Sequence, residues 1–155
     1  MREEVYDFLR EYGFTKEELS YFEEVNERMF FTNLMEVNKN IDFLLNKGLV
    51  EEEVINVFRN NPFMITVKDN RLDSLDKIYV EELKFSNDDL RNLIINNPKC
   101  YTSSSVEFDK IINYLMEYKF SVDVIRNFII ENPVVANLSF IEFERYVKID
   151  TNNGN

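Results

Sequence analysis

The sequence Asn60-Asn61-Pro62 recurs as Asn96-Asn97-Pro98 and, with one change, as Glu131-Asn132-Pro133. These three prolines are the only ones in the chain, and they lie 36 and 35 residues apart. Near-constant spacing of this size indicates a repeat architecture, in which each repeat forms one supersecondary unit. Because the residue before a proline is disfavoured in the α-region, each Asn-Pro pair predicts the end of a helix.

A helix is predicted immediately before each proline. Large apolar residues recur 13, 8, 5 and 4 positions before it, and spacings of three and four place side chains on one helix face. Ser86 and Ser121 are suited to cap the helix start, and the apolar residue before each cap predicts a hydrophobic staple. The apolar sets are Leu49, Val54, Val57 and Phe58; Phe85, Leu90, Leu93 and Ile94; and Phe120, Ile125, Phe128 and Ile129.

A second helix is predicted after each proline. Ser104 with Glu107 and Ser139 with Glu142 have the spacing of capping boxes, six and nine residues beyond the proline. After Pro62 the same pattern shifts to Asn70 and Asp73. Each repeat is therefore predicted to contain two helices, a short corner between them and a proline break.

Four copies of this unit account for nearly the whole chain. Counting back 35 residues from Pro62 places the proline position on Glu27, so the break is expected to be missing from the first copy. We expect one all-α helical-repeat solenoid over residues 1–149, with a degenerate N-terminal cap repeat at 1–36 and further repeats at 37–71, 72–106 and 107–149. Residues 150–155 contain no apolar residue, and we expect a disordered tail there.

Composition argues against an enzyme. The 155 residues include no histidine, one cysteine and three glycines, which removes the commonest general base and metal ligand and any glycine-rich phosphate loop. We expect Cys100 to be a buried apolar residue, and we expect no cofactor, no metal and no catalytic residues. No apolar run reaches the length that spans a membrane, and no signal or transit peptide is recognisable, so we expect a cytoplasmic protein.

The repeat resembles that of the mitochondrial transcription termination factor (mTERF) family. The similarity is clearest in Leu44-Leu45-x-x-Gly48-Leu49-Val50 followed by Asn61-Pro62-Phe63-Met64, and in Leu115-Met116-x-x-x-Phe120-Ser121 followed by Asn132-Pro133-Val134-Val135. It covers residues 5–149. The resemblance implies two α-helices and a short 3₁₀ turn in each repeat, and repeats that stack into a curved, left-handed superhelix. It also implies that the concave face binds DNA or RNA and that the protein regulates transcription or RNA.

Several basic residues occupy the same position in successive repeats, and we call them the in-phase bases. They are Arg91 and Arg126, seven residues before the proline; Lys39, Lys110 and Arg145 on the first helix; and Lys84 and Lys119 at the end of that helix. In a solenoid such residues would align along one face, where they could follow a phosphate backbone. They are the candidate nucleic-acid-binding residues, while Pro62, Pro98, Pro133, Asn61, Asn97 and Asn132 are the candidate structural residues of the repeat.

The net charge of −11 supports a different hypothesis. Residues 1–36 carry ten acids and four bases, and an acidic surface disfavours phosphate. The alternative function is therefore an adaptor solenoid that binds a basic protein partner and no nucleic acid. Acids interleaved with the in-phase bases would favour this alternative, whereas their absence would favour nucleic acid. We expect a monomer in either case.

Overall fold

The computed structural model describes the backbone of residues 2–153 and the side chains of residues 2–148. In this part of the chain no residue lies in a strand, which confirms the all-α class. The helices described there are α1 (Arg2–Tyr12), α2 (Lys16–Val25), α3 (Leu34–Asn46), α4 (Glu51–Asn60), α5 (Asp69–Asp76), α6 (Asn87–Asn96), α7 (Ser105–Glu117), α8 (Val122–Glu131) and α9 (Phe140–Asn153). Short 3₁₀ turns and one π-helical turn connect some of them.

Contacts between Cα atoms divide the chain into two compact units, residues 1–69 and 70–155. The division falls close to the predicted repeat boundary at residues 71 and 72. The single domain over 1–149 stays a prediction. Helix α9 is assigned as far as Asn153, whereas a disordered tail is expected from residue 150, and residues 154 and 155 lie outside the described residues.

The helix starts follow the repeat. Helices α2, α4, α6 and α8 begin 11 residues before the proline position, at Lys16, Glu51, Asn87 and Val122, which are 35, 36 and 35 residues apart. Helices α3, α5, α7 and α9 all begin seven residues after it. The predicted shift to Asn70 and Asp73 is therefore wrong, because α5 begins at Asp69, in register with the others.

The extra residue of the 36-residue interval lies in the π-helical turn Lys77–Glu82, which continues α5. At the equivalent corners after α3 and α7, a backbone N–H bonds to the carbonyl five residues earlier, as in Phe120 to Leu115 (3.3 Å). After the π-helical turn the corresponding bond spans six residues, from the Phe85 N–H to the Tyr79 carbonyl (3.0 Å). The insertion thus widens one helical turn and leaves the later repeats in register.

The break between the two halves of a repeat does not require proline. Helix α2 ends at Val25 and a 3₁₀ turn covers Glu27–Phe30, so the expectation that the first copy lacks the break is wrong. Asn26, one residue before the proline position, has φ −130° and accepts a side-chain hydrogen bond from the Arg28 N–H (3.2 Å). Comparable 3₁₀ turns follow Pro62 and Pro133, while a hydrogen-bonded turn without 3₁₀ assignment follows Pro98.

Most of the predicted apolar set is buried, but one staple residue is not. Phe14, Leu49 and Phe85 are 3–5% exposed, whereas Phe120, which is predicted to form a staple with Ile125, is 48% exposed. Phe14 is covered by Phe58 of the following repeat, with ring centroids 6.2 Å apart, and no described repeat follows Phe120.

Ser139 with Glu142 forms a complete capping box, whereas Ser104 with Glu107 forms only one of its two hydrogen bonds. Ser139 and Glu142 exchange both hydrogen bonds of a capping box. Ser104 accepts from the Glu107 N–H (3.2 Å), but the Glu107 carboxylate accepts from the Phe140 N–H (2.9 Å) at the start of α9 instead of returning to Ser104. The acid of this predicted box therefore joins the starts of helices α7 and α9.

Candidate nucleic-acid interface

Acids accompany the in-phase bases at a constant spacing. In six of the seven cases an acid lies three residues earlier: Glu36 before Lys39, Glu81 before Lys84, Asp88 before Arg91, Glu107 before Lys110, Asp123 before Arg126 and Glu142 before Arg145. Residues three apart are neighbours on a helix surface, so each base has a carboxylate beside it. The in-phase positions therefore form rows of mixed charge, not purely basic rows.

The bases on the first helices are exposed, and Lys39 and Lys110 each form an ion pair. In α7 the Lys110 ammonium lies 3.0 Å from the Glu107 carboxylate, and 58% of the lysine side chain is exposed. The backbone hydrogen bond from Phe140, followed by Lys110, lowers the pKa of Glu107. Arg145 in α9 is exposed, and Lys39 in α3 pairs with Asp69 within the first unit. Such exposed pairs contribute little to stability, so these bases can exchange a carboxylate for a phosphate at low cost.

Arg126 has a structural position. Its guanidinium donates to the carbonyl of Leu83 at 3.0 Å and to the Asp123 carboxylate at 2.7 Å, and 20% of the side chain is exposed. Leu83 follows the π-helical turn, so Arg126 satisfies a carbonyl that the end of that helix leaves without a partner. Arg91, the in-phase residue of α6, is half-buried. These two arginines are less accessible to a ligand than the exposed lysines.

Lys84 and Lys119 occupy left-handed corners. Their φ values are 57° and 67°, and both side chains are exposed. Gly13 and Gly48 hold the same position in the first two repeats, with φ 137° and 98°. The left-handed region costs a residue with a Cβ about 1 kcal/mol, which glycine avoids. Alignment with the two glycines was the sequence signal for this conformation.

The Asn-Pro pair ties one repeat to the next. The Asn97 side-chain amide donates to the carbonyl of Pro133 at 2.7 Å, and its oxygen accepts from the Asn137 amide at 2.7 Å. In the first unit Asn26 does the same, donating to the carbonyl of Pro62 (3.2 Å) and to the Thr66 hydroxyl (2.9 Å). Both acceptors lie in the turn of the following repeat, so these asparagines position successive turns.

The other candidate structural residues of this motif also lie in the packed repeat. Asn61, Pro62 and Asn97 are buried. Asn132 donates to the Phe128 carbonyl (3.0 Å) and accepts from the Tyr146 hydroxyl (2.7 Å). Pro98 and Pro133 are half-buried. Sequence reasoning missed Asn26, although it lies 35 residues before Asn61.

The described residues offer little other chemistry. Among them no group of three or more acids, cysteines or histidines is placed to hold a metal ion. Cys100 is fully buried, and burial raises the pKa of its thiol well above the ordinary value, which opposes reactivity. No described helix is both long enough and apolar enough to cross a membrane.

Comparison with known proteins identifies a related family. The sequence model of the mTERF family matches residues 3–148. None of the curated proteins compared with the chain matches it. The matched range includes the first copy, which lacks the proline, and reaches into both compact units. It confirms the resemblance seen in the Asn-Pro repeats.

Proposed function

Because this chain belongs to the mTERF family, we propose that it binds DNA or RNA through the exposed in-phase bases and acts in the regulation of transcription or RNA. Family membership over nearly the whole chain is the observation that carries the proposal. The residues we assign to the phosphate backbone are Lys84, Lys110, Lys119 and Arg145 of the second unit and Lys39 of the first. Arg126 and Arg91 are assigned mainly to packing.

The pairing of bases with acids favours weak contacts between the in-phase bases and the phosphate backbone. A phosphate can bind a paired base only by displacing the carboxylate that the base contacts, as Lys110 contacts Glu107. The gain in counterion release per base is therefore smaller than on a surface without acids. We expect affinity that is measurable at low salt and falls as salt rises, with the acids limiting non-specific binding.

The proposal is tested by fluorescence anisotropy with labelled single-stranded and duplex DNA and RNA between 20 and 200 mM salt, a range chosen because backbone contacts respond to it. The test variant is Lys110→Gln/Arg145→Gln. If both bases contact phosphates, the slope of log K against log salt becomes shallower by about 1.4 for a single strand or about 1.8 for a duplex.

Arg10→Gln/Lys16→Gln is the matched control, because it removes the same charge from exposed residues outside the in-phase positions. The control is expected to leave the slope unchanged. A slope that changes equally in both variants would indicate an effect of net charge alone. Absence of binding by the wild type at 20 mM salt would refute the proposed function.

A second candidate function rests on a specific observation, the acid three residues before each of six in-phase bases. This pairing favours the adaptor alternative, in which the acidic surface binds a basic protein segment. An oligolysine peptide serves as probe in the same assay. Binding of the peptide, lost on Glu107→Gln/Asp123→Asn, together with no binding of nucleic acid, would establish the alternative in place of the first function.

A further inference from the structure

The corner after α7 exposes two aromatic rings beside a lysine. Tyr118 follows the last residue of α7 and is 63% exposed, and Phe120 is 48% exposed. The Tyr118 ring packs against Tyr114, with ring centroids 4.8 Å apart and an interplanar angle of 47°. This contact supports one side of the Tyr118 ring and leaves most of its surface in solvent.

Lys119, which lies between Tyr118 and Phe120 in the sequence, is held in the left-handed conformation with φ 67°. A lysine gives up stability there, since glycine would adopt the same conformation without strain. Strained backbone of this kind concentrates at sites where the side chain has a role. Lys119 also differs from the six other in-phase bases in having Met116, not an acid, three residues earlier. The nearest acid in sequence is the exposed Glu117.

The equivalent corner in the preceding repeat provides an internal comparison. Lys84 has the same left-handed conformation, but its neighbours Leu83 and Phe85 are buried. Conformation and charge are therefore common to both corners, while exposed aromatic rings occur at the second. The second corner alone of these two combines a cation with accessible ring faces.

We propose that Tyr118, Lys119 and Phe120 form a binding site for an unpaired nucleotide, whose base stacks on an aromatic ring while the ammonium contacts the adjacent phosphate. Aromatic rings accept any base in this way, and the bases of a duplex are already stacked on one another. This inference rests on the proposed function and deepens it: the substrate class is single-stranded nucleic acid.

The test compares a fluorescein-labelled ten-nucleotide oligouridine with a labelled RNA duplex of the same length, using the full chain at low salt. Tyr118→Ala is expected to weaken oligouridine binding about 5- to 150-fold, the range that the loss of one stacked base gives. Tyr118→Phe is expected to bind like the wild type, because the ring and not the hydroxyl is used. Tyr21→Ala is the control, since Tyr21 is an exposed tyrosine of α2.

Lys119→Gly separates a ligand-binding lysine from a merely structural one. Relief of the backbone strain is expected to raise the unfolding midpoint, while oligouridine affinity falls. A variant that gains stability and keeps its affinity would overturn the role of Lys119. Urea denaturation of each variant shows whether an affinity change reflects unfolding.

The two proposals fail in different ways. If the wild type binds none of the DNA and RNA probes, the proposed function fails, and this inference fails with it. If the wild type binds a duplex but not oligouridine, only the inference is overturned. If the wild type binds but Tyr118→Ala matches Tyr21→Ala, only the inference is overturned. Equal weakening of oligouridine and duplex binding by Tyr118→Ala would also overturn it, because an unpaired base would not be what the ring recognises.

Discussion

Replacement of Asn97 by alanine tests whether the Asn-Pro motif holds successive repeats together. The Asn97 side chain makes two hydrogen bonds of 2.7 Å, to the Pro133 carbonyl and from the Asn137 amide, and a longer one from the Lys99 N–H (3.3 Å). Each hydrogen bond contributes about 0.5–1.5 kcal/mol net, and the third is long, so we expect the free energy of unfolding to fall by about 2–3 kcal/mol. The truncation leaves a carbonyl and an amide of the last repeat without their partners.

Urea denaturation followed by circular dichroism at 222 nm measures this change. Asn96→Ala is the matched control, because Asn96 precedes Asn97 and is exposed, and it should alter stability by less than about 0.5 kcal/mol. Asn97→Asp is expected to cost at least as much as alanine, since a carboxylate oxygen would face the Pro133 carbonyl. A loss below about 1 kcal/mol for Asn97→Ala, or one equal to the Asn96 control, would refute the structural role of the motif.

Three further perturbations have expected outcomes. Lys84→Gly should raise the free energy of unfolding by about 1 kcal/mol and Gly48→Ala should lower it by a similar amount, because both positions have positive φ; denaturation curves that shift the other way would contradict this. Arg126→Met should lower the free energy of unfolding by about 1–2 kcal/mol, because it leaves the Leu83 carbonyl unpaired. Arg145→Met, the control, should change it by less than about 0.5 kcal/mol. Equal losses in the two variants would show that the contact of Arg126 with Leu83 does not stabilise the fold. The backbone hydrogen bond from Thr15 and the Arg59 guanidinium lower the pKa of Glu18 below its ordinary 4.5, so its stabilisation is present above that pH and is lost as pH falls through the lowered pKa. Glu18→Gln should therefore reduce the loss of stability between pH 5 and about pH 3, and an unchanged pH profile would show that this carboxylate is not involved.

The proline spacing, the capping residues and the apolar pattern were sufficient to predict the all-α class, most of the core and the helix starts other than that of α5. These are local properties: an apolar residue at a fixed position in each repeat faces the same side of the same helix, as Leu90 and Ile125 do. The positive φ of Lys84 and Lys119 and the role of Asn26 were also present in the sequence, as alignments with Gly13, Gly48 and Asn61. Both features could have been predicted by comparing the residues at equivalent positions of the repeats.

The π-helical turn and the exposure of Phe120 could not be obtained from spacing. A 36-residue interval shows that the repeat has one extra residue but not where that residue lies. A helix cap shifted by one residue and a helical turn widened by one residue lengthen the repeat equally. Phe120 has the sequence pattern of a buried staple, yet burial depends on the repeat that packs against it, and only the assembled structure shows whether that cover exists.

The sequence by itself determined the repeat, its family and the positions of the in-phase bases, since all of these depend on residue identity and separation along the chain. Only the tertiary structure decided what those bases contact. Arg126 reaches the Leu83 carbonyl, 43 residues away, and the Glu107 carboxylate reaches the Phe140 N–H, 33 residues away. Such partners are backbone groups, which every residue carries, so no side-chain pattern identifies them before the helices pack.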